Sequence, residues 1–174
     1  MIPLMWSILI VTLPTQPNAV RLRIWRALKA LGCAALRDGA YLLPDEHASA
    51  LESLAAEVQE HGGTASVLTL SPRDEAQRAE VLAQFDRTEA YAQWRDTATT
   101  LQAEFERLGE TEARRRLRGV ADALQTLRRI DYYAGPAAQQ AESDLLSLRR
   151  AFDNQFSKGE PQPRADDGIE RLEP

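Results

Sequence analysis

The sequence predicts a protein of the α+β class, with a small antiparallel sheet in its first half and long helices in its second. Up to Ser71-Pro72, short β-branched or apolar runs alternate with two amphipathic helical segments. Beyond that point, apolar side chains recur at spacings of three and four, which is typical of helices. The composition, 44% hydrophobic and 27% charged, is that of an ordinary globular chain.

The first half contains a succession of segments with alternating character. They are an apolar run over 6–14, a helix over 19–32, two apolar arms over 33–44, a helix over 45–63 and an alternating run over 64–71. Asp38-Gly39 lies between the two arms, which is the usual signature of a β-hairpin. Gly32 can end the first helix, because glycine readily adopts the left-handed conformation that closes helices. The order βαββαβ predicts a ferredoxin-like domain with both helices on one face of an antiparallel sheet.

The second half is predicted to be a C-terminal α-helical hairpin or small bundle, with a break near Gly109 and a further helix beginning at Gly135-Pro136. We interpret its apolar seams as protein core rather than as a cofactor-binding surface. The seam residues are Tyr91, Trp94, Ala98, Leu101, Phe105, Leu108, Leu117, Val120, Leu124, Leu127, Leu145, Leu148, Phe152 and Phe156. We expect a ferredoxin-like domain over 1–72, a helical extension packed on it over 73–156 and a disordered tail over 157–174.

Residue types that carry catalysis or bind metals are sparse. Cys33 is the single cysteine, and His47 and His61 do not have the spacing of a zinc or haem site. The sequence has no Gly-rich phosphate loop, no G-x-S-x-G and no H-E-x-x-H motif. It therefore predicts a protein that is not an enzyme, has no catalytic residues and takes no metal or cofactor.

The apolar N-terminal run is too short to cross a membrane. No basic residues precede it and no small-residue cleavage site follows it, as a secretory signal would require. We expect a cytoplasmic protein without a membrane partner.

Positive charge is concentrated in two segments of an acidic chain. The formal net charge is −5, yet residues 1–44 and 113–135 each carry +4. A negatively charged partner must therefore bind to a local basic patch rather than to the surface as a whole. The candidate DNA- or anion-binding residues, all on the first helix, are Arg21, Arg23, Trp25, Arg26 and Lys29.

The first helix has an apolar face and an opposite face that combines charge with an aromatic ring. At 100° per residue, the face expected to pack on the sheet is formed by Val20, Ile24, Ala27, Leu28 and Leu31. The opposite side is formed by Leu22, Trp25, Arg26 and Lys29, with Arg21 and Arg23 at its margins. In one interpretation the C-terminal helices cover Trp25 and Leu22 while the arginines pair with acidic residues of 73–112. In the other, the face stays exposed for a phosphodiester backbone or a small oxyanion.

The second basic segment, residues 113–129, has a simpler explanation. It follows an acidic helix, and antiparallel helices of opposite charge complement each other across their seam, although each solvated pair contributes little stability. We interpret its arginines as partners for those acids, with DNA contact as the alternative.

The segment "RLRIWRALKALGCAALRDGAYLLP" (21–44) resembles the N-terminal domain of the ChrB family of bacterial chromate-resistance regulators. The shared pattern is R-x-R-x-W-R-x-L-K-x-x-G followed by L-x-x-G-x-Y-x-L-P, and the likeness covers about residues 6–135. The segment is also similar to part of the PaaX-type repressors and, more distantly, to small ferredoxin-like CRISPR-associated nucleases. Those nucleases carry a catalytic Asp at the end of the first strand, where this sequence reads "VTLP", so nuclease chemistry is not supported.

The resemblance implies a DNA-binding transcriptional regulator of chromate-efflux genes that answers to chromate. The positions that match the family's N-terminal pattern are Arg21, Arg23, Trp25, Arg26 and Lys29. We expect the family's C-terminal sensing domain to be absent from these 174 residues, which makes a homodimer or a separate sensing-domain protein a candidate partner. The alternative is a non-enzymatic protein-interaction or oxyanion-binding module whose arginines hold chromate itself.

Overall fold

The computed structural model describes residues 4–13, 15 and 18–157. Its elements are β1 (Trp6–Thr12), α1 (Asn18–Ala30), β2 (Ala34–Arg37), β3 (Ala40–Pro44), a short 3-10 helix (Asp45–His47), α2 (Ala48–Glu60), β4 (Thr64–Leu70), α3 (Glu75–Ala83), α4 (Thr88–Glu104), α5 (Glu110–Arg129) and α6 (Pro136–Phe156). The predicted α+β class, with an antiparallel sheet followed by long helices, is confirmed. The predicted tail lies outside the described residues, apart from Ser157.

The sheet has four antiparallel strands in the order β2-β3-β1-β4. β1 is central, and its Ile8 lies opposite Leu42 of β3 on one side and Leu68 of β4 on the other. The β2–β3 hairpin turns at the predicted position, where Gly39 has a φ of +78°. A Cβ on Gly39 would come within 2.7 Å of the Val11 carbonyl oxygen, so this turn requires glycine.

One face of the sheet is covered by α1 and α2. Alternate residues of β1 point to this face, where Leu9 and Val11 pack into a core shared with both helices. The residues of α1 predicted to face the sheet all lie in this core or pack against it: Val20, Ile24, Ala27, Leu28 and Leu31. The helix α2 contributes Leu51, Leu54, Ala55 and Val58. The inner face of α1 is therefore the one its sequence predicts.

The opposite face of the sheet is covered in part. Trp6 packs there with Phe85, which follows α3, and its indole nitrogen donates a hydrogen bond of 2.9 Å to the hydroxyl of Tyr133. Further along the same face, Ile10 and Leu68 are 48% and 53% exposed. This face is thus closed around Trp6 and open around Ile10.

The helices α4, α5 and α6 share a core of their own. Every seam residue predicted from helical spacing lies in this core or packs against it. The edge-to-face ring of Phe105 against Phe152 closes one end, and the indole of Trp94 donates to the Val120 carbonyl in the middle. No helix among the described residues is long and apolar enough to cross a lipid bilayer.

Several predicted boundaries are wrong by a few residues. The helix expected after Pro72 begins at Glu75, because the Asp74 carboxylate caps it by accepting a hydrogen bond from the Gln77 N–H. The helix expected from residue 45 begins at Ala48, after the 3-10 turn. The first strand ends at Thr12, before the predicted end at Pro14, which lies outside the described residues.

Besides the contacts around Trp6, the helical segment meets the sheet region at the end of α1. Arg87 donates to the Gly32 carbonyl, and the Tyr132 hydroxyl donates to the Leu31 carbonyl. Gly32 has a φ of +69°, and a Cβ there would collide with the Cβ of Ile130. The helices α3–α6 therefore contact the C-terminal end of α1 and leave its outward side uncovered.

Candidate nucleic-acid or anion interface

The side of α1 that points away from the sheet is exposed along its length. Its exposed residues are Arg21, Leu22, Arg23, Trp25, Arg26 and Lys29, and we call them the outer α1 face. Trp25 and Leu22 are 50% and 51% exposed. The interpretation in which the C-terminal helices cover these two side chains is wrong for the described part of the chain. The helical segment packs around Trp6, on the sheet face opposite α1, and contacts α1 at its C-terminal end, at Gly32.

Trp25 and Lys29 form a local pair on this face. They are four residues apart, which places them on adjacent turns of one helix side. The Lys29 Nζ lies 4.5 Å from the centroid of the Trp25 ring, within the range of a cation–π contact. The contact orients the ring and keeps a positive charge beside it, while half of the indole surface remains open to a ligand.

Within the described ranges, most charges of the outer α1 face have no ion-pair partner. Arg23 forms an ion pair with Glu57 of α2. Arg21, Arg26 and Lys29 have no ion-pair partner among the described residues. The interpretation in which these arginines pair with acids of 73–112 is therefore wrong, and three cations are available to an external anion.

A shallow cleft borders the outer α1 face at Arg21 and Trp25. Its volume is about 220 Å³, and its other wall is formed by Leu13, Asp38 and Tyr41. The sequence predicts Asp38 only as a turn residue and Tyr41 only as part of the hairpin motif that follows α1. Leu13 directly follows β1, and the proximity of all three residues to Arg21 arises from the tertiary fold.

The second basic segment is largely neutralised. Ion pairs within or between helices join Arg114 to Glu110, Arg115 to Glu112, Arg116 to Glu104 and Arg128 to Glu142. All of these side chains are substantially exposed, so each pair contributes only about 0–1 kcal/mol. The predicted pairing with the preceding acidic helix across the seam is confirmed for Arg116. Arg114 and Arg115 pair within α5 instead, and Arg128 pairs with α6. With four of its arginines paired, the segment offers a weaker anion site than α1.

The Cys33 thiol and the potential metal-binding side chains do not form a second reactive site among the described residues. Burial raises the pKa of the Cys33 thiol to about 12, an effect that a backbone hydrogen bond and the nearby Arg87 offset only in part. The thiol is therefore protonated at neutral pH, and the thiolate is the nucleophilic form. Among the described residues, no group of three His, Cys, Asp or Glu side chains is arranged to hold a metal ion.

A larger groove of about 810 Å³ runs between α4 and α5. Its lining is mainly apolar or small and includes Trp94 and Gly119. Arg116 and Glu104, which also line it, are already paired to each other. It lacks a convergent set of unpaired charged groups. The outer α1 face is thus the better candidate for a charged ligand.

Comparison with known proteins supports a shared N-terminal region. Residues 21–158 match the model of the family described as Protein ChrB, N-terminal. The chain is 35% identical over 158 residues to Protein ChrB of Cupriavidus metallidurans, an alignment that covers 90% of this chain and 49% of that relative. The chain therefore spans about half the length of this curated relative. No solved structure matches the chain.

Proposed function

The chain belongs to the ChrB N-terminal family, and we propose that it is a chromate-resistance-associated regulatory protein that binds DNA through the outer α1 face. The observation that carries the proposal is the exposed Trp25 ring beside Arg21, Arg26 and Lys29, cations that have no ion-pair partner in the part of the chain the structure describes. The family match begins at Arg21 and includes all of these residues. In this role the protein regulates transcription of chromate-efflux genes, as the family resemblance implies.

The outer α1 face suits a phosphodiester backbone. Arginine and lysine form charge-assisted hydrogen bonds with phosphate oxygens, and the release of counterions from DNA drives such binding. Trp25 adds an apolar surface that can pack on a sugar or a base. Because the whole chain carries −5, binding depends on this local patch rather than on overall charge.

We assign this helix to a ferredoxin-like unit, predicted over residues 1–72, followed by a helical hairpin or bundle predicted over 73–156. Two features support the assignment: the element order βαββαβ and the strand order β2-β3-β1-β4. In this assignment α1 is held in a fixed position, since its inner face is buried along three turns and Arg23 forms an ion pair with Glu57 of α2. A DNA-binding regulator of this kind works in the cytoplasm and performs no catalysis.

Charge reversal tests the proposal. The variant Arg21→Glu/Arg26→Glu/Lys29→Glu is compared with wild type by fluorescence anisotropy, on a duplex taken from the region upstream of the chain's own gene. Wild type should bind with a log–log salt slope of roughly −2.7, about −0.9 for each of three phosphate contacts. The variant should lose most of its affinity, because three attractive contacts become repulsive.

A matched control distinguishes the effect of charges on the outer α1 face from the effect of the protein's net charge. Arg107, Arg149 and Arg150 are exposed and have no ion-pair partner among the described residues. Reversing all three to Glu changes the net charge by the same amount on the helical segment. The control variant should bind like wild type. Equal losses in both variants, or unchanged binding in the α1 variant, would overturn the proposal.

The geometry favours DNA over a small oxyanion such as chromate. The cations of the outer α1 face project from a convex helix surface, and the adjoining cleft carries the Asp38 carboxylate beside Arg21. A dianion bound there would be repelled by that carboxylate. We therefore expect titration calorimetry with chromate and with sulfate to give no binding heat. A heat seen with chromate and abolished by Arg21→Glu would support the oxyanion-binding alternative instead.

A further inference from the structure

The free edge of β4 is a feature that the proposed function does not use. Among the described strands, β4 pairs only with β1. Its seven residues, TASVLTL, include no charge and no proline, and its pairing with β1 has no bulge. Exposed edge strands usually carry a charged residue, a proline or a bulge, because each of these blocks pairing with another strand. The edge of β4 is therefore open to strand addition.

The hydrogen bonds of β1 show which backbone groups of β4 point outward. The Val11 N–H donates to the Gly39 carbonyl at 2.8 Å, which directs Val11 toward β3. Backbone groups of successive strand residues point to alternate sides, so Val11 forms no ladder bond with Ala65, the β4 residue opposite it. By the same alternation, Ala65, Val67 and Thr69 direct their N–H and C=O groups away from the sheet.

Two side chains narrow the register of any added strand. Gln59 donates from Nε2 to the Ala65 carbonyl at 2.9 Å, so this outward acceptor already has a partner. Val67 and Thr69 remain as the open pairing positions. Between them lies Leu68, 53% exposed, on the sheet face opposite α1 and α2. An added strand centred on Leu68 would use the open positions and cover the exposed leucine.

We propose that β4 pairs with β4 of a second copy of the chain, antiparallel and across a two-fold axis centred on Leu68. In this register Val67 exchanges backbone hydrogen bonds with the partner subunit's Thr69, and the symmetric exchange occurs on the other side. Leu68 and the partner subunit's Leu68 form a non-hydrogen-bonded pair, whose Cα atoms lie about 4.5 Å apart. The two sheets become one continuous sheet.

Two-fold symmetry requires a surface that complements itself, and the β4 edge meets this requirement. The uncharged edge brings no like charges together, and each Leu68 finds an apolar neighbour of its own kind. The axis runs perpendicular to the sheet, so both outer α1 faces lie on one side and the Leu68 pair lies on the other. Dimerisation and ligand binding by α1 can therefore be tested separately.

Sedimentation velocity of the full chain over a range of concentrations tests the dimer. Wild type should sediment as a dimer at the higher concentrations. Leu68→Lys should be monomeric throughout, because it places two ammonium groups face to face at the axis. Ile10→Lys is the matched control, since Ile10 is 48% exposed on the same sheet face but lies on the central strand. It should retain the dimer. A monomeric wild type at every concentration would overturn the proposal.

Cysteine cross-linking tests the register. In a Cys33→Ala background, Leu68→Cys should form a disulfide-linked dimer under mild oxidation, because the paired Cβ atoms lie within disulfide reach. Ser66→Cys should not, since Ser66 faces the partner subunit's Leu70 and the two Ser66 positions are roughly 13 Å apart along the strands. A cross-link through Ser66→Cys instead of Leu68→Cys would overturn the register.

Hydrogen exchange identifies any other occupant of the edge. The amides of Val67 and Thr69 should be protected at dimer-forming concentrations and exchange faster in Leu68→Lys. Protection of these amides in a monomeric sample would mean that another segment of the same chain covers the edge, and it would overturn the proposal.

Discussion

The guanidinium of Arg87 donates a hydrogen bond of 2.7 Å from Nη2 to the carbonyl oxygen of Gly32. Its Nε also reaches the Ile130 carbonyl at 3.4 Å. One side chain thus joins the end of α1 to the end of α5. This junction holds the helical segment at the C-terminal end of α1, and that position leaves the outer α1 face exposed.

Replacing Arg87 with methionine should weaken this junction. The substitution keeps a chain of similar length but removes the donors to Gly32 and Ile130, leaving two carbonyls without this partner. Hydrogen bonds to charged groups contribute roughly 1.5–3 kcal/mol, so we expect the free energy of unfolding to fall by about that amount in urea titrations. Arg107→Met, at an exposed position, should change it little. Equal stabilities of the two variants would contradict the role assigned to Arg87.

Gly32 and Gly62 provide a matched pair for the close approach between α1 and Ile130. Both have positive φ, +69° and +81°, so an alanine at either site incurs about 1–2 kcal/mol of backbone strain. Only at Gly32 would the new Cβ collide with a neighbour, the Ile130 Cβ, whereas nothing lies within 4 Å at Gly62. Gly32→Ala should therefore lower the unfolding free energy, measured in urea titrations, clearly more than Gly62→Ala.

A double variant checks the cause of that difference. Ile130→Gly removes both the Cβ, with which a Cβ at residue 32 would collide, and the Cγ2 methyl group, which would lie 3.0 Å from it. The cost of Gly32→Ala should therefore be smaller in the Ile130→Gly background. If the two costs simply add, backbone strain rather than contact with Ile130 explains the effect.

The elements that the sequence predicts well are those whose signal is local. Val20, Ile24 and Leu28 follow the spacing of one helix side, and a single face of α1 must bury them whatever else surrounds it. The hairpin at Gly39 is signalled by its turn residues in the same way. The start of α3 was less predictable, because Pro72 and Asp74 both favour a helix start and only the capping bond of Asp74 decides between them.

The exposure of Trp25 could not be predicted from the sequence. Whether α3–α6 cover it depends on where they dock. Phe85 and Tyr133 dock at Trp6, on the sheet face opposite α1. Arg87 and Tyr132 dock at the backbone carbonyls of Gly32 and Leu31. Backbone carbonyls carry no sequence signature, and the pattern does not say which apolar side chains of distant segments pack together, so the docking site cannot be predicted from it. The pairing of Arg23 with Glu57 was missed for a related reason, since many exposed acids are equally good candidates from composition alone.

Tryptophan quenching tests the exposure of the outer α1 face directly. Trp25 is 50% exposed, whereas Trp6 and Trp94 are 0% and 6% exposed. Acrylamide should therefore quench mainly the emission of Trp25, and Trp25→Phe should remove most of the quenchable component. Trp94→Phe should leave that component intact. Unchanged quenching in Trp25→Phe would show that the ring is covered in solution.

Stability should decline at alkaline pH, with Cys33 as the first group responsible. Burial raises the pKa of its thiol from 9.0 to about 12. Between these two values the unfolded chain has released the proton while the folded chain retains it, so unfolding is favoured as the pH rises. The stabilisation is fully present below pH 9 and is lost progressively above it.

The tyrosines act in the same direction at higher pH. Burial also raises the pKa values of Tyr91, Tyr132 and Tyr133 from 10.0, so their contribution to alkaline unfolding begins about one pH unit later. Urea titrations from pH 7 to above pH 9 should therefore separate the two effects.

In Cys33→Ala the unfolding free energy should fall less steeply between pH 9 and 10 than in wild type, whatever the variant's stability at pH 7. The slopes, not the absolute values, are compared, because the alanine also changes packing beside Leu28. Identical slopes would contradict a protonated, buried Cys33 in the folded protein.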